Sequence, residues 1–145
     1  LARVVLMNDF VPVKTALLSV SDKTDLVAFA RRLISHGTAI ISTGGTGLTG
    51  RDVTVEAHRD VYEKEIDAFG TVFTMVSMQK IGTSAVQSRA TGGVANGTYL
   101  FALPGSPGAC KDAWDEILAK QLDYRHRPCN FVEILPRLDE HLRRK

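Results

Sequence analysis

The sequence predicts an α/β fold of three layers, α/β/α, around a mostly parallel sheet, and three observations predict it. Short runs rich in Val, Leu and Ile (VKTALLSV, Val13–Val20; TAIIS, Thr38–Ser42; TYLFAL, Thr98–Leu103) have the apolar character of buried strands. Between the first two lies a stretch of helical periodicity, so strand, helix and strand read as a parallel βαβ unit. Glycine-bearing loops follow the second and third runs (TGGTGLTG, Thr43–Gly50; PGSPG, Pro104–Gly108), where open parallel sheets carry ligands.

The 145 residues suit a single domain, and 44% hydrophobic with 23% charged residues exclude a disordered chain. Two cysteines, Cys110 and Cys129, are too few for a disulfide framework and too isolated for a zinc site. They read as reduced thiols, which places the protein in the cytoplasm. A net charge of +2 without a clustered basic patch argues against nucleic acid. No apolar run reaches the roughly 18 residues of a membrane helix, so no membrane partner is expected. Residues 1–12 read as a leader, with Met7 the more natural first residue and Leu1–Leu6 contributed by an expression vector or an upstream junction.

Along the chain, Ser21-Asp22 can cap a helix whose inner face is Leu26, Phe29, Ala30, Leu33 and Ile34, with His36-Gly37 as its stop. Asp52 or Thr54 can cap the next helix, and residues 54–89 read as helical with interruptions at Gly70 and Gly82. Ser106-Pro107 is a helix start, a hydroxyl at the cap and proline in the first turn. Cys110, Ala113, Trp114, Ile117, Leu118 and Leu122 line one face of the helix that follows, which Pro128 ends. A short strand at Phe131–Leu135 and a charged C-terminal helix complete the reading.

Thr43, Gly44, Gly45, Thr46 and Gly47 form the loop best suited to an anion, because glycines let backbone N–H groups approach phosphate oxygens. Taken alone, it fits a tight strand-to-helix turn equally well, and it is no Walker A loop, since no Gly-Lys-Ser/Thr follows. Asp52 can hold a metal beside a bound phosphate or cap a helix. Arg51 and Arg89 can pair with phosphate or stand as solvated surface residues. Ser88 and Asn96 are ordinary polar residues in isolation. Ser106 lacks the surroundings of a nucleophile. His36, His58, His126 and His141 are scattered, without metal-ligand spacing. Arg125-His126-Arg127 and Arg143-Arg144-Lys145 are offset by Glu133, Asp139 and Glu140 and read as solvated faces.

Four stretches together resemble the MoaB/MogA family of molybdenum-cofactor biosynthesis proteins, most closely the MoaB branch, over about two thirds of the chain. They are Thr43–Ala57 (TGGTGLTGRDVTVEA), Ile81–Thr98 (IGTSAVQSRATGGVANGT), Leu100–Asp123 and Arg127–Leu138. The resemblance implies a cytoplasmic, molybdopterin-binding α/β domain that forms trimers or hexamers. In catalytic members, a Mg²⁺-dependent reaction moves AMP from ATP to molybdopterin and releases pyrophosphate. By the same resemblance, Gly44–Gly47 would cradle phosphate together with Thr43, Asp52 would be the catalytic, metal-holding residue, and Pro104, Gly105, Ser106 and Pro107 would line the pocket. Ser88 and Arg89 would contribute to the same anionic ligand. Val55 stands where the family usually has proline.

Residues 7–46, with SVSDKT and STGGT, resemble instead the start of the IMP cyclohydrolase domain of the bifunctional purine-biosynthesis enzyme. Asp25 replaces a usual glycine, and that domain's Arg-Val-Lys-Thr-Leu-His-Pro run is absent, so cyclohydrolase activity is not expected. The two resemblances meet at the Thr-Gly-Gly-Thr loop, which suggests a chimera: an IMP-cyclohydrolase-like βαβ segment over 13–46 and a MoaB-like segment over 43–145. The replaced front is one βα unit shorter, and the Asp-x-Ser-Gly stretch and second acidic residue of catalytic relatives go with it. Catalysis is then expected to be weak or lost, since Mg²⁺ is usually held by one or two carboxylates plus phosphates and water. The uncovered apolar surface favours a homo-oligomer. Two other readings are a folded chimera without a catalytic role, and a purine-nucleotide binder using Ser21-Asp22-Lys23-Thr24 with Thr43–Thr46.

Overall fold

The computed structural model describes residues 15–19 and 39–143. Strand β1 (Thr15–Ser19) pairs in parallel with β2 (Ala39–Thr43), and β2 pairs in parallel with β5 (Thr98–Leu103). Both predicted runs and the parallel relation of the first pair are as expected. The helix expected between them lies outside the described residues, as do Ser21–Thr24 and the leader.

The rest of the sheet departs from the prediction. Strand β4 (Thr91–Ala95) runs antiparallel to β5, and β3 (Lys64–Glu65) antiparallel to β4, in the order β1-β2-β5-β4-β3. The sheet is therefore mixed rather than mostly parallel. The cause is the two-residue turn Asn96-Gly97, with φ of 47° and 70°, which folds β5 straight back along β4. β4 escapes an apolar-run reading because Gly92 and Gly93 sit at its centre. Close packing requires them there: a Cβ on Gly92 would lie 2.8 Å from the Phe101 ring, and one on Gly93 2.4 Å from the Tyr62 ring.

Residues alternate between the two faces of the strands. Ala39, Ile41, Val94, Tyr99, Phe101 and Leu103 join a core with Phe69 and Phe73 from helix α2 (Asp67–Ile81). Ile40, Ala95 and Leu100 face the other way, against Val61 and Tyr62 just beyond helix α1 (Thr54–Arg59). Helices cover both faces, which gives the three layers.

The 54–89 stretch thus divides into α1, β3, α2 and a 3₁₀ turn (Gly82–Gln87). Gly70 does not interrupt α2. It lets the helix pass close to the chain entering β4, since a Cβ there would meet the Ala90 carbonyl at 2.7 Å. Neither Asp52 nor Thr54 caps α1; Val53 occupies the cap position, without a side-chain bond. Ser106 does cap helix α3 (Pro107–Ala113), accepting the Ala109 N–H, with proline in the first turn as predicted.

Helix α3 continues through a π-turn (Trp114–Leu118) into α4 (Ala119–Gln121). Ala113, Ile117 and Leu118 are buried and Leu122 packs on them, but Trp114 is 44% exposed. The extra residue of the π-turn rotates the faces that a regular 3.6 period would align. The helix stops at Gln121, well before Pro128. Phe131–Leu135 is not a strand: α5 (Phe131–Ile134) and a 3₁₀ turn (Leu135–Arg137) follow Asn130. Buried Asn130 accepts the Glu133 N–H at 2.9 Å, an N-cap that competes successfully with the β-character of Phe-Val-Glu-Ile. Helix α6 (Glu140–Arg143) ends the described chain.

Candidate functional site

Parallel pairing sets Thr43 beside Leu103, so the loops after β2 and β5 leave the sheet side by side. The Gly44 N–H donates to the Leu103 carbonyl at 2.9 Å. Gly44 and Gly45 have φ of 86° and 66°, a left-handed conformation that glycine adopts without the usual Cβ penalty. A Cβ on Gly105 would lie 3.1 Å from the Gly44 Cα, so the two loops touch backbone to backbone.

A cavity of about 370 Å³ opens at this edge. Of the residues singled out in the sequence, Gly44, Gly45, Thr46, Gly47, Asp52, Ser88, Pro104, Gly105 and Ser106 line it. Thr43 stands behind the loop as the last residue of β2, and Pro107 opens α3. Arg51 is exposed and does not line the cavity. Phe73, Ser77, Ile81, Ser84, Ala85, Gln87 and Ala109 complete the lining. Sequence reasoning missed these because they come from α2, the 3₁₀ turn and α3; no local motif marks a helix face that only tertiary packing brings to the loops.

Asp52 accepts two hydrogen bonds at Oδ2, from the Thr49 N–H at 3.0 Å and the Thr49 hydroxyl at 2.6 Å. Its role in the local chain is therefore to brace the Thr49–Asp52 turn. A Cβ on Gly47 would lie 2.7 Å from that same oxygen, so the glycine admits the carboxylate to the loop. Among the described residues, no three His, Cys, Asp or Glu side chains gather as a metal site. A Mg²⁺ ion brought on a phosphate would meet Asp52 as the one carboxylate among the described residues that line the cavity.

Arg89 does not point its guanidinium into the cavity lining. Its Nε–H donates to the Gly47 carbonyl at 3.0 Å and the Thr46 carbonyl at 3.4 Å, and Nη2 to the Asp52 carbonyl at 3.1 Å. Nη1 and Nη2 reach the Glu56 carboxylate at 2.5 and 3.2 Å. The Arg89 hydrogen bonds hold the Glu56 carboxyl below its ordinary range.

Behind the loop, His58 is buried, with Nε2 2.9 Å from the Ser42 hydroxyl and Nδ1 3.2 Å from the Tyr62 hydroxyl. Burial pushes its imidazole down to about 4 and raises the Tyr62 phenol. His58 is thus a structural histidine. His126 lies across the molecule beside α2 and α4, and Asn96 serves the hairpin turn.

An α/β domain with two glycine-bearing loops at the carboxyl ends of adjacent parallel strands defines the class of small-ligand sites that take anions at the sheet edge. The comparisons with known proteins give that class its family. The model described as "Probable molybdopterin binding domain" matches residues 9–124, and the chain belongs to this family. Molybdenum cofactor biosynthesis protein B of Escherichia coli (strain K12) is 54% identical over 92 residues, 63% of this chain and 54% of that protein. The probable molybdopterin adenylyltransferase of Methanocaldococcus jannaschii is 49% identical over 74 residues, 51% of this chain and 45% of its own length. The chain spans about half the length of these curated relatives. Among solved structures, the tungsten cofactor synthesizing protein MoaB from Pyrococcus furiosus aligns with a TM-score of 0.67 and 26% identity, over 74% of this chain and 91% of that one. A molybdenum cofactor biosynthesis protein B aligns with a TM-score of 0.61 and 26% identity, over 94% of this chain and all of that one.

The resemblance of residues 7–46 to the purine-biosynthesis enzyme receives no support from these comparisons. The family match includes both sides of the junction expected near Thr43–Thr46.

Proposed function

We propose that the protein is a MoaB-type member of molybdenum cofactor biosynthesis that binds molybdopterin or a nucleotide through its phosphate. The observation that carries this reading is the pair of touching loops, Gly44–Gly47 and Pro104–Ser106, lining one cavity at the carboxyl ends of β2 and β5. Backbone N–H groups of the glycine loop would take the phosphate oxygens. The Ser106 hydroxyl accepts the Ala109 N–H and keeps its own proton to donate. Asp52 would hold Mg²⁺ where an ATP phosphate brings one, and the ion would neutralise phosphate charge there. In the adenylyl transfer of catalytic relatives, a molybdopterin phosphate oxygen bonds to the α-phosphorus of ATP as the bond to pyrophosphate breaks. The chain's own contribution is to orient that phosphate and bind its charge.

We further propose that turnover is weak or lost, because Asp52 is the one carboxylate among the described residues that line the cavity. A second reading, a folded oligomeric protein without catalysis, draws on the same observation. A homo-oligomer, trimer or hexamer, is supported by the outer face of α2, where Val72, Met75 and Met78 are exposed. A light-scattering mass equal to one 15.8 kDa chain would contradict it. The cytoplasm remains the proposed compartment, consistent with free thiols at Cys110 and Cys129. An adenylyl-transfer assay with molybdopterin, ATP and Mg²⁺, read by pyrophosphate release beside equilibrium binding, tests the function. Binding with little turnover is expected; no binding of either ligand contradicts the proposal.

A further inference from the structure

We propose that Arg89 is a positioning residue that shapes the glycine loop from behind, and is not a ligand for the anion. This inference rests on the reading of Gly44–Gly47 as an anion cradle, and it changes the role that the sequence gave Arg89. The guanidinium bonds three loop carbonyls, those of Thr46, Gly47 and Asp52. A planar peptide directs its C=O and N–H to opposite sides. With the Thr46 and Gly47 carbonyls turned to Arg89, the N–H groups of Gly47 and Leu48 face away from it. Thr46 and Gly47 line the cavity while Arg89 does not; Arg89 lines a neighbouring cavity with Arg59 and Glu65 and meets the loop through its carbonyls.

Glu56 completes the device. Its carboxylate takes both terminal nitrogens of the guanidinium and fixes the plane that the loop carbonyls need. Glu56 belongs to α1, the helix that leaves the loop, while Arg89 precedes β4, so the pair also ties the two walls of the cavity together. Ser88, the neighbour of Arg89, lines the cavity from the second wall. A lysine here would keep the charge but carry its donors on one nitrogen, unable to span the carbonyls of Thr46 and Asp52 together.

The test is amide hydrogen exchange in the ligand-free protein at Thr49, Asp52 and Thr54, whose N–H groups are bonded within the loop and its turn. Arg89→Lys is expected to speed exchange there about tenfold while core amides of β5 hold, the mark of a local opening. Pyrophosphate binding should weaken in parallel, despite the retained charge, while Arg59→Lys behaves as wild type. Glu56→Gln, at an exposed side chain, gives a second route if Arg89→Lys does not fold, and it should loosen the same amides. Unchanged exchange at these amides in the folded variant overturns the proposal. If wild type takes no pyrophosphate, the cradle reading fails, yet the exchange result still decides the role of Arg89.

Discussion

Gly44 and Gly105 meet with no side chain between them, and this contact joins the two loops into one site. A Cβ on Gly105 would stand 3.1 Å from the Gly44 Cα and 3.6 Å from its nitrogen, both backbone atoms with little freedom to yield. Gly105→Ala is therefore expected to push the glycine loop away from the second loop. Overpacking of this kind costs about 1–3 kcal/mol, and the lower end is expected at an exposed loop. Chemical denaturation would read the loss, and isothermal calorimetry with pyrophosphate should show binding weakened beyond what stability alone explains.

Thr54 offers the opposite change. Its hydroxyl is buried with no hydrogen-bond partner among the described residues, directly after the loop. Thr54→Val keeps the shape and removes the desolvated oxygen, so thermal unfolding should shift upward by the equivalent of about 1 kcal/mol. A lower melting temperature would show that the hydroxyl has a role.

Gly93 fixes the position of Tyr62 on the second face of the sheet. A Cβ would come within 2.4 Å of the ring, so Gly93→Ala should force Tyr62 outward and strain its contact with His58. A destabilisation of at least about 2 kcal/mol is expected from denaturant titration.

The buried His58 makes stability depend on pH. Its folded pKa, about 4, lies below the ordinary 6.5 because burial disfavours the imidazolium. Between those values the unfolded chain binds more protons, so stability is full above about pH 6.5 and declines as pH falls toward 4. The slope from this one group reaches at most about 1.4 kcal/mol per pH unit. Urea unfolding across this range should show the decline in wild type and a flatter profile in His58→Gln.

The parallel half of the sheet is legible in the sequence because β1, β2 and β5 are apolar runs, the last two followed by glycine loops. The antiparallel half is not, since β4 is centred on Gly92-Gly93 and β3 is only Lys64–Glu65. The Asn96-Gly97 dipeptide is the signal that could have found it. Most of the cavity's loop residues are equally legible, because phosphate-type loops are local in sequence. The exceptions are physical: Asp52 braces a turn, Arg89 faces the back of the loop, and the wall from Phe73 to Ile81 exists only once α2 packs. Phe131–Ile134 is a helix for a local reason, the buried Asn130 cap, which apolar content alone conceals.

The cavity beside Gly44–Gly47 is proposed to bind an anionic ligand with Asp52 as its metal-linked residue. Calorimetric titration of ATP with Mg²⁺ into wild type and Asp52→Ala measures it most directly. Saturable binding by wild type is expected, with binding at least about tenfold weaker in Asp52→Ala and the difference shrinking when Mg²⁺ is withdrawn. Equal binding by the two proteins, or none by either, would contradict it.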